Sequence, residues 1–267
     1  EITSESILIG EEISTAALVE LPVDKIAAIV TSEGAANSHM VIVARALGIP
    51  TVVGVTELPV NNLDDVEMIV DAYQGRVFVN PPRRLRTRYK EIQKEEEQIA
   101  KDLKQNKPML RLVQGDVGAG KTLVAGVAAC HALEEGWQVA LMAPTEILAE
   151  QHYLNFKKWF EPLGLNVSWL SRKQKGKARA TAELALKDGT ANVIIGTHAL
   201  FQDNVEFAKL GLVIIDEQHR FGVDQRLSLR NKGIKNMTPH QLVMTATPIP
   251  RTLAMSAYGD LDTSVID

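Results

Sequence analysis

Short runs of apolar residues, separated by turn residues, characterise roughly the first 80 positions of this sequence. Five runs have the length and the β-branched content of strands, and they lie at residues 6–10, 25–30, 50–54, 66–71 and 76–79. Residues 38–47 are predicted as a helix, because a serine or asparagine cap precedes them and Gly48 and Pro50 follow. The pattern predicts a small α/β domain at residues 1–82.

The spacing of the apolar residues changes after position 82. Apolar side chains now recur at intervals of four and three, with Glu96 interrupting the series, at Leu85, Tyr89, Ile92, Ile99 and Leu103. This spacing is typical of an amphipathic helix, and we predict one linker helix over residues 83–107. Its lysines and arginines are interspersed with glutamates, which favours a solvated face over a nucleic-acid contact.

Strand-length apolar runs and helix-length segments alternate from residue 110 onward. The runs lie at residues 110–113, 138–143, 166–170, 193–196, 212–215 and 241–244. Because such strands are apolar on both faces, they predict a parallel sheet covered by helices. The expected fold class is therefore α/β, with a second domain at residues 108–267.

Composition narrows the class of protein. The chain has 267 residues, of which 45% are hydrophobic and 23% charged, and this globular composition excludes wholesale disorder. No apolar run has the length of a membrane span, so we expect no membrane partner. The single cysteine and the polar start predict a cytoplasmic protein. The net charge of −4 is the sum of −6 over residues 1–106 and +2 over the rest, which indicates two unlike domains.

A glycine-rich segment follows the first strand of the second domain and opens a helix. It fits the pattern G-x-x-x-x-G-K-[ST], in which the glycines let backbone N–H groups point at phosphate oxygens. The lysine ammonium would reach the β- and γ-phosphates of ATP, and the threonine hydroxyl would hold Mg²⁺. The residues expected to bind nucleotide are Gly115, Gly118, Gly120, Lys121 and Thr122.

Two adjacent carboxylates follow the apolar run 212–215. Open α/β sheets bind ligands at this end of their strands. We expect Asp216 to hold Mg²⁺ through water and Glu217 to orient and activate the attacking water, with Lys121 as their catalytic partner. An ordinary acidic strand end is the alternative, and the glycine-rich segment upstream makes it the weaker one.

Four motifs in the second domain occur together in one helicase family. Asp216-Glu217-Gln218-His219 resembles the D-E-x-H box of superfamily 2 helicases, and residues 143–152, 196–200 and 245–252 resemble their motifs Ia, Ib and III. From about residue 109 onward the chain closely resembles the first motor domain of RecG-type DNA helicases. The resemblance implies a RecA-like fold, ATP and Mg²⁺ as cofactors, and DNA held by weak backbone contacts. It implies coupling of the nucleotide to motif III through Gln218 and His219, and a DNA groove at Thr145, Thr197 and His198.

The same family places ATP between two motor domains, of which the second supplies arginine fingers. Such a finger accelerates P-loop enzymes by roughly 10³–10⁵-fold. The sequence stops at Asp267, shortly after motif III, and the resemblance then implies that the second motor domain is missing. From this we expect weak nucleotide binding, hydrolysis near background and no unwinding.

A histidine stands at the start of the predicted helix 38–47. A surface histidine near a helix cap is the ordinary interpretation, although an imidazole there can also carry a phosphoryl group that the helix N-terminus stabilises. Residues 34–39 and 44–54 resemble the swivelling phosphohistidine domain of PEP-utilising enzymes, and most closely that of nitrogen-branch enzyme I of the phosphotransferase system. The resemblance covers about residues 6–104. It implies that His39 is the catalytic phosphocarrier, with a PEP-binding domain or a carrier protein as partner.

The two resemblances belong to unrelated pathways and meet near residues 105–108. We interpret the chain as a chimera of a phosphohistidine domain, its linker helix and a helicase motor domain. Three hypotheses stay open: an ATP-binding half of a helicase motor, a phosphocarrier loaded by a separate PEP-binding domain, and an artificial or accidental fusion without native function. Nucleotide binding ranks first, because its site lies largely within one domain whereas His39 has no donor in the sequence.

Overall fold

The chain folds into two units, of which the first is Glu1–Tyr89 and the second is Lys90–Asp267. The structure, a computed structural model, describes residues 5–35, 38–56, 58, 63–105, 107–116, 118–171, 174, 176–202, 205–217, 238–247 and 261–266. None of the helices in these ranges combines the length and the hydropathy of a membrane span. The domain boundaries expected after residues 82 and 107 stay predictions.

A three-stranded parallel sheet and two helices form the larger part of the first unit. The strands are β1 (Ser6–Gly10), β2 (Ile26–Thr31) and β3 (Thr51–Val52), in that order, and the helices are α1 (Thr15–Glu20) and α2 (His39–Ala46). Leu18, Ile29 and Val41 form the buried core between them. The predicted strands and α2 are confirmed. Helix α1 was not predicted, because its six residues after the cap Ser14 are too few to show a helical spacing of apolar residues.

A hairpin and a long helix complete the first unit and lead into the second. Strands β4 (Met68–Asp71) and β5 (Arg76–Val79) pair antiparallel, which confirms the last two predicted strands. Helix α3 (Arg83–Leu103) confirms the linker helix and ends before the predicted residue 107. The hydroxyl of Tyr89 donates to Oδ2 of Asp71 at 2.7 Å, and its ring packs on Phe78. The first turns of α3 therefore belong to the first unit.

A seven-stranded parallel sheet is the centre of the second unit. All six predicted strands are present, and Asp262–Ile266 adds a seventh that was not predicted. The order across the sheet is β12-β6-β11-β10-β7-β9-β8, with every neighbouring pair parallel. The strands are β6 (Leu110–Gly115), β7 (Gln138–Met142), β8 (Val167–Leu170), β9 (Val193–Gly196), β10 (Leu210–Asp216), β11 (His240–Thr245) and β12 (Asp262–Ile266).

In the described ranges, the α-helices that accompany this sheet after α3 are α4 (Lys121–Glu134), α5 (Glu146–Phe160) and α6 (Lys177–Lys187). The central strands are buried along their length, with Leu141, Ile194 and Ile214 fully excluded from solvent. Apolar residues on both strand faces are the reason that the sheet is parallel and covered, because only such strands can be buried on two sides. The predicted α/β fold class is confirmed.

Candidate active site

Three neighbouring strands of the second unit end at the same edge of the sheet. In the register, Asp216 of β10 lies opposite Met244 of β11, and Met244 lies opposite Val113 of β6. The loops that follow these strands are therefore side by side. This edge brings together the glycine-rich segment after β6, the two carboxylates at the end of β10, and Thr245 and Thr247 at the end of β11 and just beyond it.

The glycine-rich loop has the backbone that its sequence predicts. Gly118 has a φ of 85° and Gly120 a φ of 101°, a left-handed conformation that side chains disfavour. Gly120 caps α4, so the free N–H groups of the first helical turn are at the loop. A Cβ at Gly115 would lie 2.2 Å from the carbonyl oxygen of Ile266 in β12. Glycine is required at Gly115 because another strand passes so close.

The ammonium of Lys121 lies over the same loop. Its Nζ donates to the carbonyl oxygens of Gly115 at 2.6 Å and Asp116 at 2.8 Å. Burial lowers the pKa of Lys121, and the negative charges of Glu217, Asp216 and Asp116 act against that shift. A positive group thus lies among backbone donors with acidic side chains nearby, which fits the phosphates of a nucleotide and a bound cation.

Asp216 contacts His152, the last residue of the segment 143–152 that resembles motif Ia and a residue for which the motif predicts no role. Nε2 of His152 lies 2.8 Å from Oδ2 of Asp216. A signal for it exists in the sequence. His152 shares the buried side of α5 with Ala149, Phe156 and Phe160, and a polar residue in an apolar stripe needs a buried partner.

Glu217 connects the end of β10 to the end of β11 and the residue that follows it. It has a φ of 51°, and its carboxylate accepts from the N–H of Ala246 at 3.0 Å and the hydroxyl of Thr245 at 3.2 Å. The hydroxyls of Thr245 and Thr247 lie 2.8 Å apart. The coupling expected from Gln218 and His219 lies outside the described residues, and the contact seen here is made by Glu217 itself.

A magnesium ion would need phosphate oxygens in addition to protein ligands at this edge. Among the residues that the structure describes, no group of three His, Cys, Asp or Glu side chains could hold a metal. Mg²⁺ in phosphate sites usually takes one or two protein ligands, with substrate oxygens and waters completing six. Thr122 in the first turn of α4 and Asp216 at the end of β10 fit that role.

The residues expected along the DNA groove lie on two connected loops. The hydroxyl of Thr145 caps α5 by accepting from the N–H of Leu148 at 3.3 Å. Thr197 is buried, and its hydroxyl donates to Oε1 of Glu146 at 3.5 Å. His198 follows and is half-buried. The role of Thr145, Thr197 and His198 in DNA contact stays a prediction.

His39 is the first residue of α2 and is exposed. The Oγ of Ser38 accepts from the N–H of Val41 at 3.5 Å, as the cap of that helix. Residues 36 and 37 lie outside the described part of the chain. The position agrees with a surface histidine and with a phosphoryl acceptor, so the catalytic role of His39 stays a prediction.

Comparison with known proteins places the second unit in a family. The profile of the DEAD/DEAH box helicases matches residues 91–256, which is more than half of the chain. The chain belongs to the DEAD/DEAH box helicase family. The profile of the PEP-utilising enzyme mobile domain matches residues 2–75. The two resemblances inferred from the sequence are therefore confirmed, each over its own part of the chain.

Individual relatives agree with this helicase assignment. The ATP-dependent DNA helicase RecG of Escherichia coli strain K12 is 64% identical over 171 residues, which are 64% of this chain and 25% of that protein. A structure of RecG bound to a three-way DNA junction is 42% identical with a TM-score of 0.58, covering 67% of this chain and 24% of the other. A DEAD box protein from Methanococcus jannaschii, 21% identical with a TM-score of 0.51, covers 66% of this chain and 49% of the other and shows the fold alone. The chain spans about a quarter of the length of the curated relatives it matches.

Most of the described active-site residues lie inside the helicase match. The glycine-rich loop, the two carboxylates and the threonines at the end of β11 all belong to residues 91–256, whereas His39 belongs to the other match. Strand β12, which crowds Gly115, lies beyond the matched segment. The helicase match therefore covers the carboxyl edge of the sheet, and His39 lies in the part of the chain that matches the other family.

Proposed function

We propose that this chain binds ATP with Mg²⁺ at the carboxyl edge of its seven-stranded sheet, as the nucleotide-binding half of a RecG-type helicase motor. One observation carries the proposal. Lys121 is separated from the adjacent Asp216 and Glu217 by about 95 positions of the sequence, yet the fold gathers all three where three adjacent strands end. Ligands of open α/β sheets bind at this edge.

Each residue of the edge has a distinct task in this proposal. The loop N–H groups and Lys121 bind the phosphate oxygens, and Thr122 and Asp216 hold the cation. Glu217 orients the water that attacks. Because the Glu217 carboxylate also accepts from Thr245 and Ala246, a change at the nucleotide alters the hydrogen bonds of the loop after β11.

DNA contact is a second part of the proposal. One solved relative is RecG bound to a three-way DNA junction, and by analogy Thr145, Thr197 and His198 lie toward the sugar-phosphate backbone. Hydroxyl and backbone N–H donors at such positions fix a nucleic acid without reading its sequence. Since the chain spans about a quarter of these relatives, the proposal for it is limited to nucleotide binding and weak backbone contact.

Calorimetric titration of the chain with Mg·ATP tests the proposal. Lys121→Ala removes a charge-assisted contact of about 1.5–3 kcal/mol, so the affinity falls by roughly ten- to a hundredfold. Lys187→Ala is the matched control, because Lys187 is an exposed lysine paired with Glu206 on the surface. A wild-type chain that releases no binding heat, or a Lys121→Ala chain that binds as wild type does, contradicts the proposal.

A second candidate function is phosphoryl transfer to His39. It is favoured by the exposed position of His39 at the start of α2, inside the segment that matches the PEP-utilising mobile domain. A separate PEP-binding domain would transfer the phosphoryl group of PEP to an imidazole nitrogen and release pyruvate. Labelled PEP with such a domain should label the wild type and a His131→Ala control, and not His39→Ala. Absence of label from all three contradicts this function, and silence in the calorimetric assay as well favours a fusion without native function.

A further inference from the structure

We propose that His152 is a positioning residue for Asp216, and that it selects which carboxylate oxygen faces the bound cation. The inference rests on the proposed nucleotide binding and adds a residue to it. Nε2 of His152 lies 2.8 Å from Oδ2 of Asp216, and the two residues are 64 positions apart in the sequence. The fold therefore brings α5 and the end of β10 together at this atom pair.

The contact is a directed hydrogen bond in a dry environment. An ionised carboxylate has no hydrogen to donate, so Nε2 of His152 must be the donor. The side chains of His152 and Asp216 are 8% and 13% exposed. Hydrogen bonds to a charged acceptor are shorter and stronger than neutral ones, and low solvent access strengthens them further.

Within the described part of the chain, the contact with Asp216 is not accompanied by a second polar contact of His152. Its Nδ1 is buried and has no hydrogen-bond partner among the residues that the structure describes. The neighbours on its side of α5, Ala149 and Phe156, are apolar. Packing alone would be served by an apolar side chain, because a polar group buried in such a stripe costs free energy unless it is bonded. The bond to Asp216 is the polar interaction that the structure gives for this imidazole.

Fixing one oxygen of Asp216 determines the orientation of the other. With Oδ2 held by His152, rotation of the carboxylate about its Cβ–Cγ bond is restricted, and Oδ1 makes no hydrogen bond within the described ranges. Residues that orient a metal-holding carboxylate typically change metal affinity by about 10–100-fold when they are removed. His152 would therefore act on the cation-dependent part of nucleotide binding, and leave the phosphate contacts of Lys121 and the glycine-rich loop intact.

The test compares two amide substitutions at position 152. The side-chain amide nitrogen of His152→Gln extends about as far as the histidine Nε2 and can donate to Asp216, whereas His152→Asn is one methylene shorter and falls short of it. Both place a polar amide in the same buried stripe, so they carry a similar folding penalty. His131→Gln serves as control, because His131 is a partly exposed histidine of α4 that pairs with Glu134.

The measurement is calorimetric affinity for ATP with Mg²⁺ and with EDTA. We expect His152→Asn to weaken Mg·ATP binding by about tenfold or more while metal-free affinity stays unchanged, and His152→Gln and His131→Gln to keep the wild-type ratio. Equal weakening of both affinities in His152→Asn indicates a purely structural role and overturns the inference. The inference is also overturned if neither affinity changes in this variant. A wild type that binds no ATP under either condition refutes the proposed function itself, and a wild type that binds with no Mg²⁺ preference overturns the inference alone.

Discussion

Asp216 and Glu217 are neighbours in the sequence, but different elements hold their side chains. The carboxylate of Asp216 turns to His152 in α5, and that of Glu217 turns to Thr245 and Ala246 at the end of β11. The positive φ of Glu217 separates the two directions, because the backbone leaves the strand at this residue. Two carboxylates that would repel each other are thereby given separate hydrogen-bond partners.

The burial of His240 is expected to make the stability of the folded chain decrease at acidic pH. Nδ1 of His240 accepts from the N–H of Met109 at 2.9 Å, and burial lowers the pKa of His240 while the charge of Asp102 offsets part of that shift. Below its ordinary pKa of 6.5 the unfolded chain takes up a proton that the folded chain resists, so stability falls as the pH falls through that range.

The substitution His240→Asn isolates this contribution, because asparagine keeps a hydrogen-bond acceptor near the Nδ1 position but does not titrate. Urea denaturation at about pH 7.5 and about pH 5.5 should show a smaller loss of stability in the variant than in the wild type. An identical loss in the two chains would show that the titration of His240 contributes nothing.

Cys130 is predicted to be chemically inert in the folded chain. Burial, together with the nearby negative charges of Glu134 and Glu96, raises the pKa of its thiol to about 12. Because the thiolate is the reactive form, alkylation by iodoacetamide near neutral pH should be more than about 100-fold slower than in the urea-unfolded chain. Equal rates in the folded and the unfolded chain would contradict the burial of this thiol.

At the scale of elements, the second half of α3 is tied to the sheet of the second unit by a buried ion pair. Arg111 of β6 donates from Nε to Oδ2 of Asp102 at 3.0 Å and from Nη1 to the hydroxyl of Ser264 in β12 at 2.8 Å. The carboxylate of Glu95 lies 3.8 Å from the same guanidinium. One arginine thus joins α3, β6 and β12.

Removing one partner of this pair should be costly. Arg111→Met leaves Asp102 buried without its counter-charge and should lower the free energy of unfolding by about 3–5 kcal/mol. Arg86→Met is the matched control, since Arg86 forms an exposed pair with Glu67 that contributes about 0–1 kcal/mol.

Chemical denaturation measures both variants, and the double variant Arg111→Met/Asp102→Leu should recover most of the loss. A cost at Arg111 no larger than at Arg86 would show that the buried network does not stabilise the second unit.

The elements that the sequence predicted are those with long or strongly apolar patterns. Strand β12 was missed because Asp262–Ile266 has two apolar residues in five and finds its partner β6 about 150 residues upstream. The burial of Asp102 was not predicted, because the helix was predicted from the spacing of its apolar residues alone. The contact of His152 with Asp216 could not be predicted, because it depends on how close α5 and β10 lie in the folded chain. Local patterns predict elements and motifs, whereas contacts between distant elements depend on the folded sheet.

At the scale of the whole molecule, the chain combines two units that match different families. The helicase match covers 91–256 and the PEP-utilising match 2–75. The acidic charge lies in the first 106 residues, which carry −6, and the remaining residues, which form most of the second unit, carry +2. The mild overall acidity therefore does not argue against DNA contact by the second unit.

The most direct test of the account is hydrogen–deuterium exchange of the chain with and without Mg·ATP. We predict slower exchange in peptides that cover residues 115–122, 216–217 and 245–247, because ligand binding stabilises the loops it touches. Exchange in residues 26–31 and 39–46 of the first unit should not change. Protection confined to the first unit, or absent from all three loops, would contradict the central claim that the ends of β6, β10 and β11 form the nucleotide site.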